Sequence, residues 1–338
     1  MKKYNVAILG ATGAVGQEML KVLIERKFPL NSIKLLASKR SAGKSVSFDG
    51  KDYIIEEATS DSFKGMDIVL GAATNEIAEA LSKDIVAAGA VFIDNSSAYR
   101  MDPNVPLVVP EVNAEDVKLH KGIIANPNCA TIIALGAVNE LNKYAKINRM
   151  IVSTYQAVSG AGVGGIKELD NQVAALSAGN PVKIENFQYQ IAYNLIPQIG
   201  GFDAEGYSSE EMKMQNEGRK ILHNPELMVN CTCIRVPVYR SHSESITLEF
   251  DKDIDVAMAK ELLSKAEGVK LVDDLNNQLY PMPLDTSDQD LIYVGRIRKD
   301  ISSNKSGLVL WCCGDQIRKG AATNAIQIGE KLIALNII

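Results

Sequence analysis

A short apolar strand, a glycine-rich turn and a helix follow one another at the N-terminus, and this order restricts the fold more than any other feature. The segment from Asn5 to Leu9 is the predicted strand, and Gly10-Ala11-Thr12-Gly13-Ala14-Val15-Gly16 is the turn before a helix that continues to about Arg26. Glycines at this spacing allow a tight turn and let a pyrophosphate approach the helix N-terminus. A turn that only packs the helix on the strand is the alternative. We predict a dinucleotide site with contacts from Gly10, Thr12, Gly13, Ala14, Val15 and Gly16.

The second predicted strand, Ile33 to Ala37, ends in the basic turn Ser38-Lys39-Arg40-Ser41. A site for NAD would carry Asp or Glu here for the ribose 2′-hydroxyl. Two cations and two hydroxyls instead suit a 2′-phosphate, so the sequence favours NADP, bound by Ser38, Arg40 and Ser41. A solvated basic turn is the alternative.

Strands and helices continue to alternate, which predicts a Rossmann-type, doubly wound parallel sheet in an α/β fold. The predicted elements are strands at Tyr53–Ala58, Ile68–Ala73 and Val91–Asp94 and a helix at Glu76–Ala88. A chain of 338 residues exceeds the usual size of one domain. We expect an NADP-binding domain at 1–128, completed by a C-terminal helix at 320–338, and an α+β catalytic and dimerisation domain at 129–319.

Composition excludes several classes of protein. A net charge of −5 and a pI near 5.4 provide no basic face for nucleic acid or an anionic membrane. The N-terminal apolar run is too short for a signal peptide or a membrane span, so we expect a cytoplasmic protein. The chain has 5 cysteines and no CxxC pair, which argues against a disulfide framework and a zinc site. We expect no metal.

Cys129 follows Pro127-Asn128 and precedes an apolar run, Ile132 to Leu141, that has the period of a buried helix. A helix N-terminus favours the thiolate, the nucleophilic form of cysteine, but contributes only about 0.3–1 kcal/mol. A base must therefore assist. Of the 3 histidines, His242 lies outside any apolar stripe and is the best candidate. A structural, buried cysteine is the alternative.

Two further polar residues lie on or at the ends of predicted strands. Arg235 shares one strand face with Cys231 and Cys233, which indicates a partly buried cation awaiting an anion. Gln156 ends the strand before a second glycine-rich stretch, residues 157–165, which we predict to be a loop before a helix beginning at Ile166. A neutral amide there could orient a carbonyl group.

Three charged residues have a functional and a plain interpretation. Arg100 follows a strand end, where it could bind phosphate or be exposed to solvent. Glu210 and Lys213 stand three residues apart on a helix that Ser208 and Glu211 begin with capping-box spacing. An ordinary surface ion pair is the alternative for these two.

Ordered segments across nearly the whole chain resemble the aspartate-β-semialdehyde dehydrogenase family: GATGAVG, LASKRSAGK, NPNCATI, YQAVSGAG, EEMKM, IRVPVYRSHSE and RKGAATNA. The resemblance implies NADP-dependent reductive dephosphorylation of L-aspartyl-4-phosphate to L-aspartate-4-semialdehyde. That step leads toward lysine, methionine, threonine, isoleucine and diaminopimelate. Residues 159–165 and the following helix suggest a homodimer interface, and we expect a homodimer or homotetramer.

The resemblance also implies residue roles. Cys129 would be the nucleophile, His242 the acid/base and Gln156 the residue that orients the acyl intermediate. Substrate contacts would come from Arg235 to the α-carboxylate, Glu210 to the amine, and Arg100 with Lys213 to the phosphate. Gln316 would contact the cofactor, at a position where the family commonly has Asn. Ala130 stands where the family often has Ser or Thr, so no hydroxyl contributes there.

Three other functions are also compatible with the sequence. N-acetyl-γ-glutamyl-phosphate reductase combines the same domain type with a cysteine and a histidine, but Glu210 favours a free amine. A phosphate-independent aldehyde dehydrogenase would leave two cations without a ligand. A non-catalytic, NADP-binding regulatory protein would have an inert thiol at Cys129.

Overall fold

The computed structural model describes residues 2–338, which form two compact units. Unit 1 comprises the chain up to Asn128 together with Ala321–Ile338, and unit 2 comprises Cys129–Gly320. Within the described residues, no helix is both long and apolar enough to cross a membrane.

Unit 1 is built on a six-stranded, wholly parallel sheet in the order β5-β2-β1-β6-β7-β8. Its elements are β1 (Tyr4–Leu9), α1 (Ala14–Glu25), β2 (Leu30–Ala37), β3 (Ser45–Phe48), β4 (Lys51–Ile54), β5 (Glu56–Glu57), β6 (Ile68–Gly71), α2 (Asn75–Ala87), β7 (Val91–Asp94), α3 (Pro110–Asn113) and β8 (Ile123–Ala125), with 3₁₀ turns at Ser60–Phe63 and Ala114–Leu119. The predicted doubly wound sheet is confirmed. Its central strands are buried on both faces, which explains their continuous apolar runs.

The C-terminal helix belongs to the core of unit 1. This helix, α9 (Thr323–Ala334), follows a π-helical turn at Arg318–Ala322. Its apolar face packs with α1 residues, and Arg26 donates two hydrogen bonds to the carboxylate of Glu330. The end of the chain thereby covers the sheet that its beginning forms.

The strand predicted at Tyr53–Ala58 is wrong as a single element. The structure has a separate hairpin of β3 and β4, followed by the two-residue strand β5. The hairpin turn is Asp49-Gly50, and both residues have positive φ, 49° and 72°. An Asp-Gly pair is a strong hairpin signal because it accepts that backbone conformation, and the strand assignment overlooked it.

Unit 2 contains a mixed six-stranded sheet in the order β10-β9-β11-β14-β13-β12. Its elements are α4 (Cys129–Tyr144), β9 (Ile147–Ala157), α5 (Gly162–Ser177), α6 (Ser209–Ile221), β10 (Met228–Val236), β11 (His242–Phe250), α7 (Val256–Ser264), β12 (Val269–Leu271), α8 (Pro283–Thr286), β13 (Ile292–Lys299) and β14 (Gly307–Gly314), with a 3₁₀ turn at Val158–Ala161. Strand β11 is antiparallel to both β9 and β14, whereas β10 is parallel to β9. Strands β13 and β14 also pair antiparallel.

The second glycine-rich stretch is helical rather than an extended loop. After the 3₁₀ turn, α5 begins at Gly162, whose φ is 75°. A Cβ at Gly165 would lie 2.3 Å from the carbonyl oxygen of Val158. The glycines therefore let the first turn of α5 pack directly on the preceding backbone, which corrects the predicted helix start at Ile166.

Candidate active site

Cys129 is the first residue of α4, a helix whose body is almost entirely buried. Glycine allows close packing around it, because a Cβ at Gly320 would lie 2.8 Å from the Cβ of Cys129. Further along α4, Ile133 packs against Gly314, where a Cβ would meet it at 3.0 Å. The sulfur lies 3.4 Å from Nε2 of His242. The structure thus brings together the two residues on which the predicted chemistry depends.

His242 is the first residue of β11 and is completely buried. The backbone N–H of Ala157 donates to its Nδ1 over 3.1 Å, so we assign the ring proton to Nε2, which faces Cys129. The pKa of His242 falls to about 3, mainly because burial disfavours the charged ring and also because Arg235 is near, while Glu210 opposes the shift. The imidazole is neutral at neutral pH, and its Nε2–H favours the thiolate of Cys129.

Ala157 holds a second side chain of the site through its other backbone group. Its carbonyl oxygen accepts a hydrogen bond from Nη1 of Arg235 over 2.7 Å. Arg235 is buried on β10, and this burial lowers the pKa of its guanidinium. Sequence reasoning missed Ala157, because a contact made by backbone atoms leaves no trace in residue type.

Gln156 connects the histidine to the acidic side of the site. Its Oε1 accepts from the hydroxyl of Thr154 over 3.0 Å, and its Nε2 donates to Glu210 over 3.1 Å. The same nitrogen lies 3.3 Å from Nε2 of His242. The two hydrogen bonds fix which way the amide points. Thr154 was also missed, although its inward alternation with Gln156 on β9 was a usable signal.

Glu210 and Lys213 form the ion pair that their spacing predicts, with 2.9 Å between Oε2 and Nζ. The capping box of Ser208 and Glu211 at the start of α6 is confirmed. The interpretation as an ordinary surface pair is wrong, because Glu210 is buried and also accepts from Gln156. Lys213 keeps 31% of its side chain exposed, so the pair has one end in solvent.

Gly160 borders the space between the arginine and the histidine. A Cβ at this position would lie 2.7 Å from Nη1 of Arg235 and 3.4 Å from Cε1 of His242. A side chain here would therefore occupy the volume that both groups face. Sequence reasoning treated Gly160 as one glycine among several in a loop.

Gln316 follows β14 in unit 2 and is buried. Its Oε1 accepts from the N–H of Ser241 over 2.8 Å, and its Nε2 donates to the hydroxyl of Ser159. One N–H and one lone pair of the amide stay available for another partner.

Arg100 lies in unit 1 after β7. Its guanidinium donates to the backbone oxygens of Asn126 over 3.0 Å and Asn95 over 2.7 Å. Only 8% of the residue is exposed. The solvent-exposed alternative is wrong, and the backbone around the strand ends fixes the cation in place.

The glycine-rich turn of unit 1 is shaped to receive a phosphate group. Gly10 has a φ of 93°, and a Cβ there would lie 2.4 Å from the carbonyl oxygen of Ala72. A Cβ at Gly16 would lie 2.4 Å from the oxygen of Gly10. Helix α1 begins with Gly13 as its N-cap and has no side-chain cap. The exposed N-terminus of α1 thus fits a pyrophosphate.

The basic turn after β2 is available to a ligand of unit 1. Ser38 and Arg40 are exposed, and Ser41 is buried with its N–H donating to the oxygen of Ser38 over 2.8 Å. The turn places a cation and hydroxyls at the end of the strand that follows α1 in the sequence, which fits a ribose phosphate.

The low pKa of His242 predicts a loss of stability in acid. As the pH falls from about 6.5 toward about 3, the imidazole of His242 binds a proton in the unfolded chain but stays neutral in the folded one. The free energy of unfolding therefore decreases. We expect His242→Gln to lose less stability than the parent between pH 6.5 and pH 4.5. Urea unfolding at both values measures this, with the exposed His223→Gln as control. An equal decrease of the free energy of unfolding in the parent and in His242→Gln would contradict the low pKa of His242.

The chain is similar to known proteins over nearly its whole length. Family models described as semialdehyde dehydrogenase, NAD binding domain, and semialdehyde dehydrogenase, dimerisation domain, match residues 5–120 and 139–319. The aspartate-semialdehyde dehydrogenase of Bacillus subtilis is 49% identical over 342 residues, covering 99% of both chains. The structure of aspartate semialdehyde dehydrogenase II from Vibrio cholerae complexed with ASA superposes with a TM-score of 0.96 at 44% identity, covering 99% of both chains. Aspartate semialdehyde dehydrogenase from Candida albicans, solved with NADP, gives a TM-score of 0.79 at 27% identity and covers 100% of both chains. The chain belongs to the aspartate-semialdehyde dehydrogenase family.

Proposed function

We propose that this protein catalyses the NADP-dependent reductive dephosphorylation of L-aspartyl-4-phosphate to L-aspartate-4-semialdehyde. The observation that carries the proposal is the cysteine at a helix N-terminus, 3.4 Å from a buried neutral histidine. Family membership supplies the substrate. An inert, structural thiol would need no such partner.

In the proposed reaction Cys129 attacks the acyl carbon of the substrate as the thiolate, to which Nε2–H of His242 donates, so no proton has to leave the sulfur in this step. The bond from carbon to the phosphate oxygen breaks, phosphate leaves, and a thioester forms. This divides a difficult displacement into two easier steps. Cys129 begins α4, so the positive end of that helix dipole favours the negative charge that develops on the oxyanion beside the sulfur.

The proposed cofactor, when bound, supplies the hydride that reduces the thioester carbonyl. Nε2 of His242 holds its proton against the sulfur while the carbon–sulfur bond breaks and the aldehyde forms. Gln156 orients the carbonyl, because its own amide is fixed by Thr154 and Glu210. Gln156, Arg235 and His242 beside the sulfur are buried, which limits the access of water to the thioester.

Substrate recognition follows from the charges. Arg235 is a planar cation suited to the α-carboxylate, since its fork can donate two parallel hydrogen bonds. Glu210 offers a carboxylate to the free ammonium, which favours aspartate chemistry over an N-acetylated substrate. Arg100 and Lys213 are proposed as phosphate contacts.

Binding of NADP to unit 1 is part of the proposal. The proposed contacts from the glycine-rich turn and the basic turn are Gly10, Thr12, Gly13, Ala14, Val15, Gly16, Ser38, Arg40 and Ser41. Gln316 is proposed as a further contact, to the nicotinamide amide. Assembly as a homodimer or homotetramer through unit 2, and a cytoplasmic location, complete it. Five free cysteines fit a reducing compartment.

The proposed reaction is tested in reverse by adding aspartate semialdehyde, NADP and inorganic phosphate and following NADPH by absorbance. We expect reduction to require phosphate, because phosphate must accept the acyl group from Cys129. Cys129→Ser should lose activity by about a thousandfold or more while still binding NADP, since the alcohol is a far weaker nucleophile. Reduction of NADP without phosphate would contradict the role of phosphate as acceptor of the acyl group. If NADP were reduced only with the N-acetylated glutamate analogue, the proposed substrate would be wrong.

Arg40 should determine the preference for NADP. A charge-assisted hydrogen bond contributes about 1.5–3 kcal/mol, so Arg40→Ala should raise the KM for NADP about tenfold or more and leave the KM for NAD unchanged. The adjacent, exposed Lys39→Ala is the matched control. Equal changes for both cofactors in Arg40→Ala would count against a 2′-phosphate contact.

Gly160→Ala should weaken substrate binding. The added Cβ would press on Nη1 of Arg235, which the carbonyl of Ala157 holds in place. We expect the KM for aspartate semialdehyde to rise about tenfold or more, because a carboxylate loses an aligned guanidinium. Gly201→Ala is the control, since nothing lies within 4 Å of its Cβ position. An unchanged KM for aspartate semialdehyde in Gly160→Ala would contradict binding of the substrate carboxylate by Arg235.

A further inference from the structure

Ser241 has an unusual backbone conformation immediately before the proposed acid/base. Its φ is 74°, in the left-handed region that glycine accepts freely and serine rarely adopts. The residue is completely buried. Non-glycine residues persist in this conformation only where the surroundings enforce it.

Two side chains enforce this conformation. The N–H of Ser241 donates to Oε1 of Gln316 over 2.8 Å, and the hydroxyl of Thr286 donates to Oγ of Ser241 over 2.9 Å. Gln316 is itself fixed by Ser159, at the turn that follows β9. Thr286 ends the short helix α8 and is completely buried.

The residue before Ser241 is fixed by the same two segments. Arg240 forms ion pairs with Asp288, over 2.6 Å, and with the buried Asp315. Asp315 also accepts from the backbone N–H of Asp288 over 2.7 Å, which ties the two segments to each other. The backbone that enters β11 is thus restrained at two successive residues.

We infer that Ser241, Thr286 and Gln316 form a clasp that positions the imidazole of His242 against the sulfur of Cys129. The inference rests on the proposed roles of those two residues. Ala157 restrains the ring only at Nδ1, and the direction in which His242 leaves the backbone is determined by the residue before it. A reacting group must be held within about 0.5 Å of its productive position, so a restraint on that residue has a catalytic effect. Ser241 and Thr286 are positioning residues, since they act through His242, whereas Gln316 combines this role with its proposed contact to the cofactor.

Ser241→Gly separates positioning from stability. Glycine adopts a φ of 74° without strain, so the folded state should be retained, while the hydroxyl contact to Thr286 is lost. We expect kcat to fall about tenfold with the KM for aspartate semialdehyde within about twofold of the parent. The rate at which iodoacetamide alkylates Cys129, followed against pH, should shift toward the profile of His242→Gln. The other cysteines are buried, so the reagent reports on Cys129.

Thr286→Val provides a second route to the same result, because it removes the hydroxyl and keeps the shape. It should reproduce the lower kcat and the shifted alkylation profile, and Thr286→Ser should restore both. Thr247→Val, on the same strand as His242, is the control and should change neither.

Unchanged kcat and unchanged alkylation profiles in Ser241→Gly and Thr286→Val would overturn the inference, and so would a lower melting temperature as their sole effect. Alkylation requires no substrate. It therefore tests the clasp even if the parent shows no phosphate-dependent reduction, an outcome that would contradict only the proposed reaction.

Discussion

The site of unit 2 depends on the two backbone groups of Ala157. Its N–H donates to Nδ1 of His242 and its carbonyl accepts from Arg235, so one residue at the end of β9 fixes both the imidazole and the guanidinium. The first bond also selects the protonation state, because Nδ1 cannot accept a hydrogen bond and carry a proton together. A backbone group is a dependable anchor, since no substitution removes its carbonyl and only proline removes its N–H.

Burial and charge then act in the same direction on the histidine. An imidazolium would be desolvated and would face the cation of Arg235, so the neutral ring is favoured well below neutral pH. The same burial raises the pKa of Glu244, two residues along β11 on the same face. Glu210, which is also buried, has the cation of Lys213 as its partner.

Local patterns predicted a large part of this structure. Alternating strands and helices gave the parallel sheet, and the spacing of Glu210 and Lys213 gave their ion pair, because both depend on neighbours in sequence. The burial of Glu210 could not be predicted from the local sequence, because its hydrogen bond from Gln156 comes from another element, β9. The positive φ of Ser241 could not be read from serine, which prefers other conformations. Residue type records local preference, whereas these features arise from distant contacts.

The register of the sheet determines whether the polar groups meet. Arg235 pairs with Gln156 across β10 and β9, and His242 pairs with Gly314 across β11 and β14, so these positions form one row on one face. Two rows below, Val152, Ile246 and Leu310 are buried side by side. A slip of one residue in β11 would expose that apolar row and turn His242 to the opposite face. The hydrophobic core that fixes the register therefore also assembles the catalytic groups.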